Sequence, residues 1–351
     1  MTQLTRADLD RLPSYVPGRS MPGAIKLASN EVPFGPLPGV VEAITAAATD
    51  THRYPDMGVV ALREKIAAHC EVDPERVATG CGSVAMAEHL ARTTCVPGDE
   101  ILYSWRSFEA YPIIAATTGA VSVQVPNTPL HGHDLDAMVA AITDRTRMIL
   151  VCNPNNPTGT SCRTKGLDAF LDAVGERVLV VLDEAYREFV TDRTVPDGVE
   201  RYLDRPNVVV LRTLSKAWGL AGLRAGYIVA SPEVAATVRK VITPFSTSSL
   251  AQAAALAALD QPEEMARRAA IVISERTRVL AGVHRFLPDA PESQANFVWL
   301  PLGDGSAAFA AACEAERVIV RPFQGDGVRV TIGTPDENDA FLAAMEKALA
   351  V

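Results

Sequence analysis

The sequence contains little that would place it outside the ordinary globular proteins. It has no apolar run of the roughly 18–20 residues that a membrane span needs, and its first residues, MTQLTRADLDRL, lack the apolar core of a signal peptide. It also has no run of like charges and no low-complexity tract. The net charge of −9 argues against a nucleic-acid partner, because such partners usually meet a basic surface. We therefore expect a cytoplasmic protein that binds neither membranes nor nucleic acids.

Residues that commonly bind metals are scattered along the chain. The six cysteines include no CxxC pair, which favours reduced thiols in a reducing compartment. His131 and His133 form an HxH pair in a loop that also contains proline and glycine. Because a metal site normally needs further ligands, the sequence favours two solvent-exposed loop histidines and no metal.

The order of the predicted elements indicates an α/β fold. Between residues 55 and 230, helical patterns alternate with short strand-like runs: EILYS, VSVQVP, RMILVC, RVLVVLD, NVVVLRTL and AGYIVA. Several of these runs are apolar with little alternation, as in strands that are covered on both faces. We predict a doubly wound, mainly parallel sheet with helices on both sides.

The C-terminal part of the chain has a different composition. Two long alanine-rich helical patterns precede the strand-like runs QANFVWLPL, RVIVRPF and GVRVTIG, with one helix near 306–316 and another from Pro335. This order predicts a smaller α+β domain. The N-terminal residues do not fit the sheet pattern and are expected to pack on this domain. We therefore divide the chain into a large domain, 51–245, and a small domain formed by 1–50 and 246–351.

Polar and glycine-rich motifs follow four predicted strands, namely VATG, RMILVC, RVLVVL and NVVVLRTL. They are GCGSV (80–84), NPNNPTG (153–159), DEAY (183–186) and SKAWGLAGLR (215–224). Taken singly, each motif has a structural interpretation, because glycine, asparagine and proline form turns everywhere and Asp183 could cap a helix. In an open α/β sheet, however, ligands bind beyond the carboxyl ends of the strands. The joint occurrence of the motifs at those ends predicts one binding site.

Lys216 is unusual because its neighbours are apolar. It lies in TLSKAWGLAGLR, beside Leu214, Ala217 and Trp218. Burying a lone ammonium is costly, so such a group either gains partners or loses its proton. A neutral lysine attacks carbonyl carbons, and once released it can act as a base. The stretch therefore predicts a catalytic lysine.

The motifs together suit a small molecule that carries a phosphate, a ring nitrogen and an aldehyde. Pyridoxal 5′-phosphate has all three groups. Asp183 would face the protonated ring nitrogen, which keeps the ring an electron sink, and Lys216 would bond to the aldehyde. Helix N-termini bind phosphate, although short glycine turns before helices are common and Arg224 could equally lie on the surface. The phosphate would be held by Gly82, Ser83, Val84, Ser215 and Arg224.

Four further side chains would surround the cofactor ring. Asn156 and Tyr186 can hydrogen-bond to its phenolic oxygen. Ala185 is small enough for one face of the ring to lie flat against it, and Phe108, in WRSFEAYP, could stack on the other face. The predicted site thus holds the ring from both faces and along one edge.

Longer blocks of the sequence resemble a known family. NPNNPTG, DEAY and TLSKAWGLAGLRAGY are similar to the fold-type I pyridoxal-phosphate-dependent aminotransferases, in the branch of the histidinol-phosphate aminotransferases. The likeness covers nearly the whole chain and includes KLASNEVPFGP, RYPD, GCGSV, SQANFVWLPLG and GVRVTIGTPDENDAF. It implies the PLP-transferase fold of type I, a homodimer, and catalytic roles for Lys216, Asp183 and Tyr186.

The resemblance also implies residues that contact the substrate and the partner subunit. Tyr54, in RYPD, would reach across the dimer interface to the phosphate of the partner's cofactor. Arg329 would hold the substrate's α-carboxylate as a bidentate pair, and Asn156 and Asn30 would also contact the substrate. Without the resemblance, the strand pattern favours an outward-facing Arg329.

Departures from the family pattern bear on the substrate. The N-terminal motif reads SNEVPFGP where histidinol-phosphate enzymes have a form close to NENPYGP, and Phe108 occupies a position that is often Tyr. WRSFEAYP, SQANFVWLP and FQGDGVRVT look more like the actinobacterial aromatic (phenylalanine) aminotransferases of the same branch. The resemblance therefore implies ping-pong transfer of an amino group between an aromatic L-amino acid and a 2-oxo acid.

Three other functions are compatible with the same scaffold. The first is histidinol-phosphate transamination, and the second is a pyridoxal-phosphate lyase or decarboxylase related to the threonine-phosphate decarboxylases. The third is a catalytically silent, cofactor-binding regulator. Such regulators usually carry a fused DNA-binding segment, and nothing basic or helix-turn-helix-like precedes residue 30.

Overall fold

In the computed structural model, which describes residues 4–6, 9, 10, 12 and 18–349, the strands form one large sheet and two small ones. The strands are β1 (Ile25–Lys26), β2 (Val77–Gly80), β3 (Glu100–Trp105), β4 (Val121–Pro126), β5 (Thr146–Cys152), β6 (Leu179–Asp183), β7 (Val208–Thr213), β8 (Gly226–Val229), β9 (Phe297–Leu300), β10 (Val318–Ile319), β11 (Arg321–Phe323) and β12 (Gly327–Thr331).

The helices fall between these strands and dominate the last third of the chain. They are α1 (Val40–Ala48), α2 (Val60–His69), α3 (Gly82–Thr94), α4 (Ala110–Thr118), α5 (Leu135–Ala140), α6 (Thr164–Val174), α7 (Gly198–Tyr202), α8 (Pro232–Val241), α9 (Ser249–Leu259), α10 (Pro262–His284), α11 (Ser306–Ala315) and α12 (Pro335–Leu349). Serine side chains cap α8 and α9 by accepting the N–H of the third residue along, which explains where those helices begin.

The large sheet has the strand order β2-β8-β7-β6-β5-β3-β4. Neighbours from β7 to β4 are parallel, whereas β8 runs antiparallel to both β7 and β2. Ile149 and Leu150, adjacent in β5, belong to different buried clusters, because successive strand side chains face opposite sides. Helices thus cover both faces, and the predicted doubly wound, mainly parallel sheet is confirmed.

The two small sheets lie in the C-terminal part of the chain. β11, β12 and β9 form an antiparallel sheet, and β10 pairs with β1 in parallel. The run RVIVRPF, predicted as one strand, is therefore two strands. The chain changes partners at Val320, since Ile319 pairs with Lys26 and Arg321 pairs with Arg329.

Residues near β1 hydrogen-bond to the C-terminal part of the chain. Thr331 donates its backbone N–H to Leu27 at 2.9 Å, and Leu27 donates its own to Ile319 at 2.8 Å. These bonds place residues 28–30 beside the end of β12. The proposed boundaries between the large and small domains stay a prediction.

The described helices and cysteines bear on the predictions about membrane spans and reduced thiols. Within the described residues, none of the helices is both long and apolar enough to span a membrane. The six cysteines are free thiols, and four of them are buried.

Candidate active site

A cavity of about 470 Å³ opens at the carboxyl ends of β5, β6 and β7. That volume lies within the range of small-molecule sites. Its wall includes every predicted site residue except Gly82 and Tyr54: Asn30, Ser83, Val84, Phe108, Asn156, Asp183, Ala185, Tyr186, Ser215, Lys216, Arg224 and Arg329. The strand-end motifs therefore converge, as the parallel sheet requires.

Lys216 lies three residues after the end of β7, and its side chain is half-buried at the cavity wall. Its Nζ donates a hydrogen bond to the Ser29 carbonyl at 3.2 Å. Burial, followed by the nearby positive charge of Arg329, lowers the pKa of Lys216 to about 7. A large fraction of the amine is thus neutral at physiological pH, as a nucleophilic lysine requires.

Asp183 ends β6 and is buried. The Tyr111 hydroxyl donates to its Oδ2 at 2.7 Å, whereas its Oδ1 has no hydrogen-bond partner among the described residues. Burial raises the pKa of Asp183 to about 6, although the bond from Tyr111 opposes that rise. An unpartnered buried carboxylate oxygen at a cavity wall suits a cationic N–H donor on a ligand.

The start of α3, Ser215 and Arg224 form an anion cradle. Gly82 opens the helix with φ +84°, and a Cβ there would collide with the Arg224 guanidinium. Arg224 donates to the Ser215 hydroxyl at 3.1 Å. Cys81, the residue before the helix, makes no side-chain capping bond within the described chain, so no such bond occupies the first N–H groups of α3. This arrangement suits a phosphate group.

Asn30, Tyr186, Asn156 and Arg329 form a second polar group in the cavity. Asn30 donates its side-chain N–H to the Tyr186 hydroxyl at 2.9 Å. Arg329 donates to Asn156 Oδ1 at 2.6 Å and to the Ala28 carbonyl at 2.8 Å. Burial raises the pKa of Tyr186, so its hydroxyl keeps its proton and can donate to a ligand oxygen.

The strand pattern alone gives the wrong orientation for Arg329. The residue is only 7% exposed, and its guanidinium lies 5.5 Å from the ring centroid of Phe297 and 5.7 Å from that of Phe323. Neighbouring aromatic rings and carbonyl oxygens stabilise the buried cation. Because β12 is covered on both faces, alternation along the strand gives no reliable outward position.

Phe108 and Ala185 are half-buried at the cavity wall, as predicted. Additional apolar wall comes from Val84 of α3 and from Ile113 and Ile114 of α4. The cavity wall thus has both apolar side chains and the basic side chains of Arg329 and Lys216, so a bound molecule can have one apolar and one anionic end.

Tyr54 lies outside this cavity. It is 81% exposed, and its ring stacks on Phe245 with centroids 4.5 Å apart.

The predicted HxH pair is less exposed than expected, because His131 and His133 are both half-buried and a ring nitrogen of His133 bonds to the Cys152 carbonyl at 2.8 Å. The described residues contain no cluster of three or more metal-ligating side chains.

Sequence reasoning missed two contributors to the site. Tyr111, which bonds to Asp183, reads as an ordinary core aromatic in the helical run AYPII; its position three residues after Phe108 is the one available signal. Arg321 also lines the cavity and pairs with Glu109 at 2.7 Å. A second ion pair, between Arg106 and Asp326 at 2.7 Å, joins the loop after β3 to the turn before β12.

Comparison with known proteins agrees with this geometry. The family model for aminotransferase class I and II matches residues 22–345. The chain belongs to the aminotransferase class I and II family.

Two relatives of this aminotransferase chain are named aromatic amino acid aminotransferase. The one from Rhodococcus jostii (strain RHA1) is 55% identical over 343 residues, covering 98% of this chain and 95% of the relative. The one from Streptomyces coelicolor is 55% identical over 346 residues, covering 97% and 96%. A similar solved structure is the histidinol-phosphate aminotransferase from Sinorhizobium meliloti in complex with pyridoxal-5′-phosphate, with TM-score 0.88, 28% identity and coverage of 100% and 98%.

Proposed function

We propose that this chain is a pyridoxal 5′-phosphate-dependent aromatic amino acid aminotransferase that uses a 2-oxo acid as its second substrate. The observation that carries the proposal is one cavity in which an amine with a lowered pKa, on Lys216, accompanies an unpartnered carboxylate oxygen, on Asp183. Family membership and the names of the relatives point the same way. The cytoplasmic location is part of this proposal.

Different residues would hold different groups of the cofactor. The Gly82 end of α3, with Ser215 and Arg224, would hold its phosphate. Asp183 Oδ1 would accept the ring N–H, and Asn156 and Tyr186 would donate to the phenolic oxygen. When bound, the cofactor supplies an electron sink that stabilises negative charge at the substrate's Cα.

The chain's own side chains would bind the substrate and move its proton. Arg329 would bind the substrate's α-carboxylate through two parallel N–H groups, which fixes the Cα near Lys216. Lys216 Nζ, neutral once it is released, would take the Cα proton and deliver it to the C4′ carbon of the cofactor. Burial beside the apolar wall excludes water, which protects the transferred proton and strengthens the ion pairs.

The apolar wall supports an aromatic side chain on the substrate. Ile113 and Ile114, which are not assigned to the cofactor, offer a surface against which a ring can pack. A phosphate dianion placed there would lose hydration without gaining donors from these side chains. The wall therefore favours an aromatic amino acid over histidinol phosphate.

Steady-state rates on two acceptors test this specificity. With one amino donor held constant, we expect kcat/KM for phenylpyruvate to exceed that for imidazole-acetol phosphate by roughly 100-fold or more, because the phosphate would be desolvated against apolar side chains. A preference for imidazole-acetol phosphate would show that the enzyme is a histidinol-phosphate aminotransferase.

A control with the amino acid alone separates transamination from lyase or decarboxylase chemistry. Without a 2-oxo acid, phenylalanine should yield at most one equivalent of phenylpyruvate per active site, because the amino group stays on the enzyme. Continuous release of ammonia or carbon dioxide under these conditions would contradict the proposal.

We also propose that the working enzyme is a homodimer in which Tyr54 completes the partner's phosphate site. Tyr54, Met57, Val41 and Val60 expose 48–81% of their surface, and Phe245 exposes 39%. Tyr54 and Phe245 stack on each other, and exposed apolar side chains that lie together are typical of surfaces that bind another protein. A second copy of the chain would cover them.

Mixing two inactive variants tests the role of Tyr54. Tyr54→Ala and Lys216→Ala should each be weak or inactive. If Tyr54 serves the partner's site, each mixed dimer contains one intact site, so random reassortment of equal amounts should restore about a quarter of wild-type activity. If Tyr54 serves its own chain, the mixture will show only the average of the two variants. Each variant, dissociated and reassociated alone, is the control.

A further inference from the structure

Beyond the residues that touch the cofactor, we propose that Tyr111 is a positioning residue that holds Asp183 so that one carboxylate oxygen is left for the ring nitrogen. The inference rests on the proposed cofactor and deepens it. Its starting observation is the 2.7 Å hydrogen bond from the Tyr111 hydroxyl to Asp183 Oδ2, beside an Oδ1 that has no partner in the described chain.

The surroundings of Tyr111 give its hydroxyl a fixed position. Tyr111 lies in the first turn of α4 and is fully buried. Its ring makes edge contacts with Tyr103 and Phe108, at centroid distances of 5.5 and 5.6 Å. These packed rings leave the ring of Tyr111 little freedom.

Asp183 depends on hydrogen bonds to fix its carboxyl group, and the Tyr111 hydroxyl and the backbone N–H of Ala185 both act on it. The torsion that turns a carboxylate is broad and roughly two-fold, so both oxygens would otherwise exchange places. The bond from Tyr111 occupies Oδ2 and thereby selects Oδ1 for the cavity. It also favours the ionised carboxylate, which is the form that attracts a protonated ring nitrogen.

Phe108 and Tyr111 come from one short segment of the chain. Phe108 lies just before α4 and Tyr111 in its first turn, so this segment presents both a ring toward the cavity and a hydroxyl toward Asp183. The segment thus links the residue predicted to stack on the cofactor ring with the residue that orients the carboxylate.

Binding of two ligands to the full-length apoenzyme tests the inference. One ligand is pyridoxal 5′-phosphate, and the other is its carbocyclic analogue, in which a C–H replaces the ring nitrogen. Wild type should bind the natural cofactor more tightly. Tyr111→Phe should reduce that preference about 10- to 100-fold while the affinity for the analogue stays within about twofold, because only the ring nitrogen uses Asp183.

Tyr103→Phe is the matched control. Tyr103 is equally buried and contacts Tyr111, but its hydroxyl bonds to Ser122. This variant should keep the wild-type preference. A second measurement uses Asp183→Asn: adding Tyr111→Phe to that variant should change the preference no further, because the ionised partner is already absent.

The other possible outcomes would each overturn the inference. Tyr111→Phe with a wild-type preference, or with equal losses for both ligands, would overturn the positioning role and leave the proposed function intact. A wild-type enzyme that binds both ligands equally would overturn the role of Asp183 as the ring-nitrogen partner, and the inference with it.

Discussion

Lys216→Ala is expected to lower turnover by on the order of 10,000-fold, the upper end of what a positioned proton-transfer group contributes. The same variant should lose the yellow colour of the covalently held cofactor, because no other described lysine lines the cavity. Steady-state kinetics with phenylalanine and a 2-oxo acid, together with the absorption spectrum, measure both effects. Full activity in this variant would remove the lysine from the mechanism.

Lys65→Ala is a suitable control for that experiment. Lys65 is a half-exposed helical lysine that pairs with Asp260 on the surface, away from the cavity. Its replacement should leave both colour and turnover unchanged, since exposed ion pairs contribute little to stability.

The lowered pKa of Lys216 adds a pH dependence to the same prediction. Below pH 7 the amine of the empty enzyme is mostly protonated and cannot attack an aldehyde, whereas above pH 7 it is mostly neutral. The rate at which the apoenzyme captures pyridoxal 5′-phosphate should therefore rise between about pH 6 and 8 and then level off. A rate that keeps rising up to pH 10 would show an unperturbed lysine.

Arg329→Ala is expected to reduce kcat/KM by about 100-fold or more, chiefly through KM, because two charge-assisted hydrogen bonds to the substrate's carboxylate would be lost. The cofactor should remain bound and yellow, since the residues proposed to hold it are unchanged. Kinetics over a range of phenylalanine concentrations, with a spectrum of each sample, provide the measurement.

Arg329→Lys is the second variant to compare at this position. It keeps the positive charge but loses the planar fork, so its KM should lie between those of wild type and Arg329→Ala. Thermal unfolding of both variants checks that the loss is not one of folding, because Arg329 also bonds to Asn156 and to the Ala28 carbonyl. Wild-type KM values in both variants would exclude Arg329 from the substrate site.

Sequence patterns predicted the large sheet well because its signals are local. RMILVC and NVVVLRTL are largely apolar runs that polar residues follow, and the structure has β5 and β7 at those places. The rule that ligands bind beyond the carboxyl ends of parallel strands then brings Asp183 and Lys216 together without any distance information. Both line the cavity.

The remaining features depend on contacts between distant parts of the chain. Tyr111 and Asp183 are 72 positions apart, and nothing in either local sequence identifies the other as its partner. RVIVRPF divides into two strands because β1, near the N-terminus, competes with β12 for pairing. The burial of Arg329 likewise follows from the rings of Phe297 and Phe323, which the strand pattern does not reveal.

The reactive lysine and the carboxylate-binding arginine belong to different sheets. Lys216 follows a strand of the seven-stranded sheet, whereas Arg329 lies on β12 of the three-stranded one. Laboratory evolution toward new amino acids should therefore keep both groups, since every amino acid carries the α-carboxylate, and place its substitutions on the apolar wall around Ile113 and Ile114.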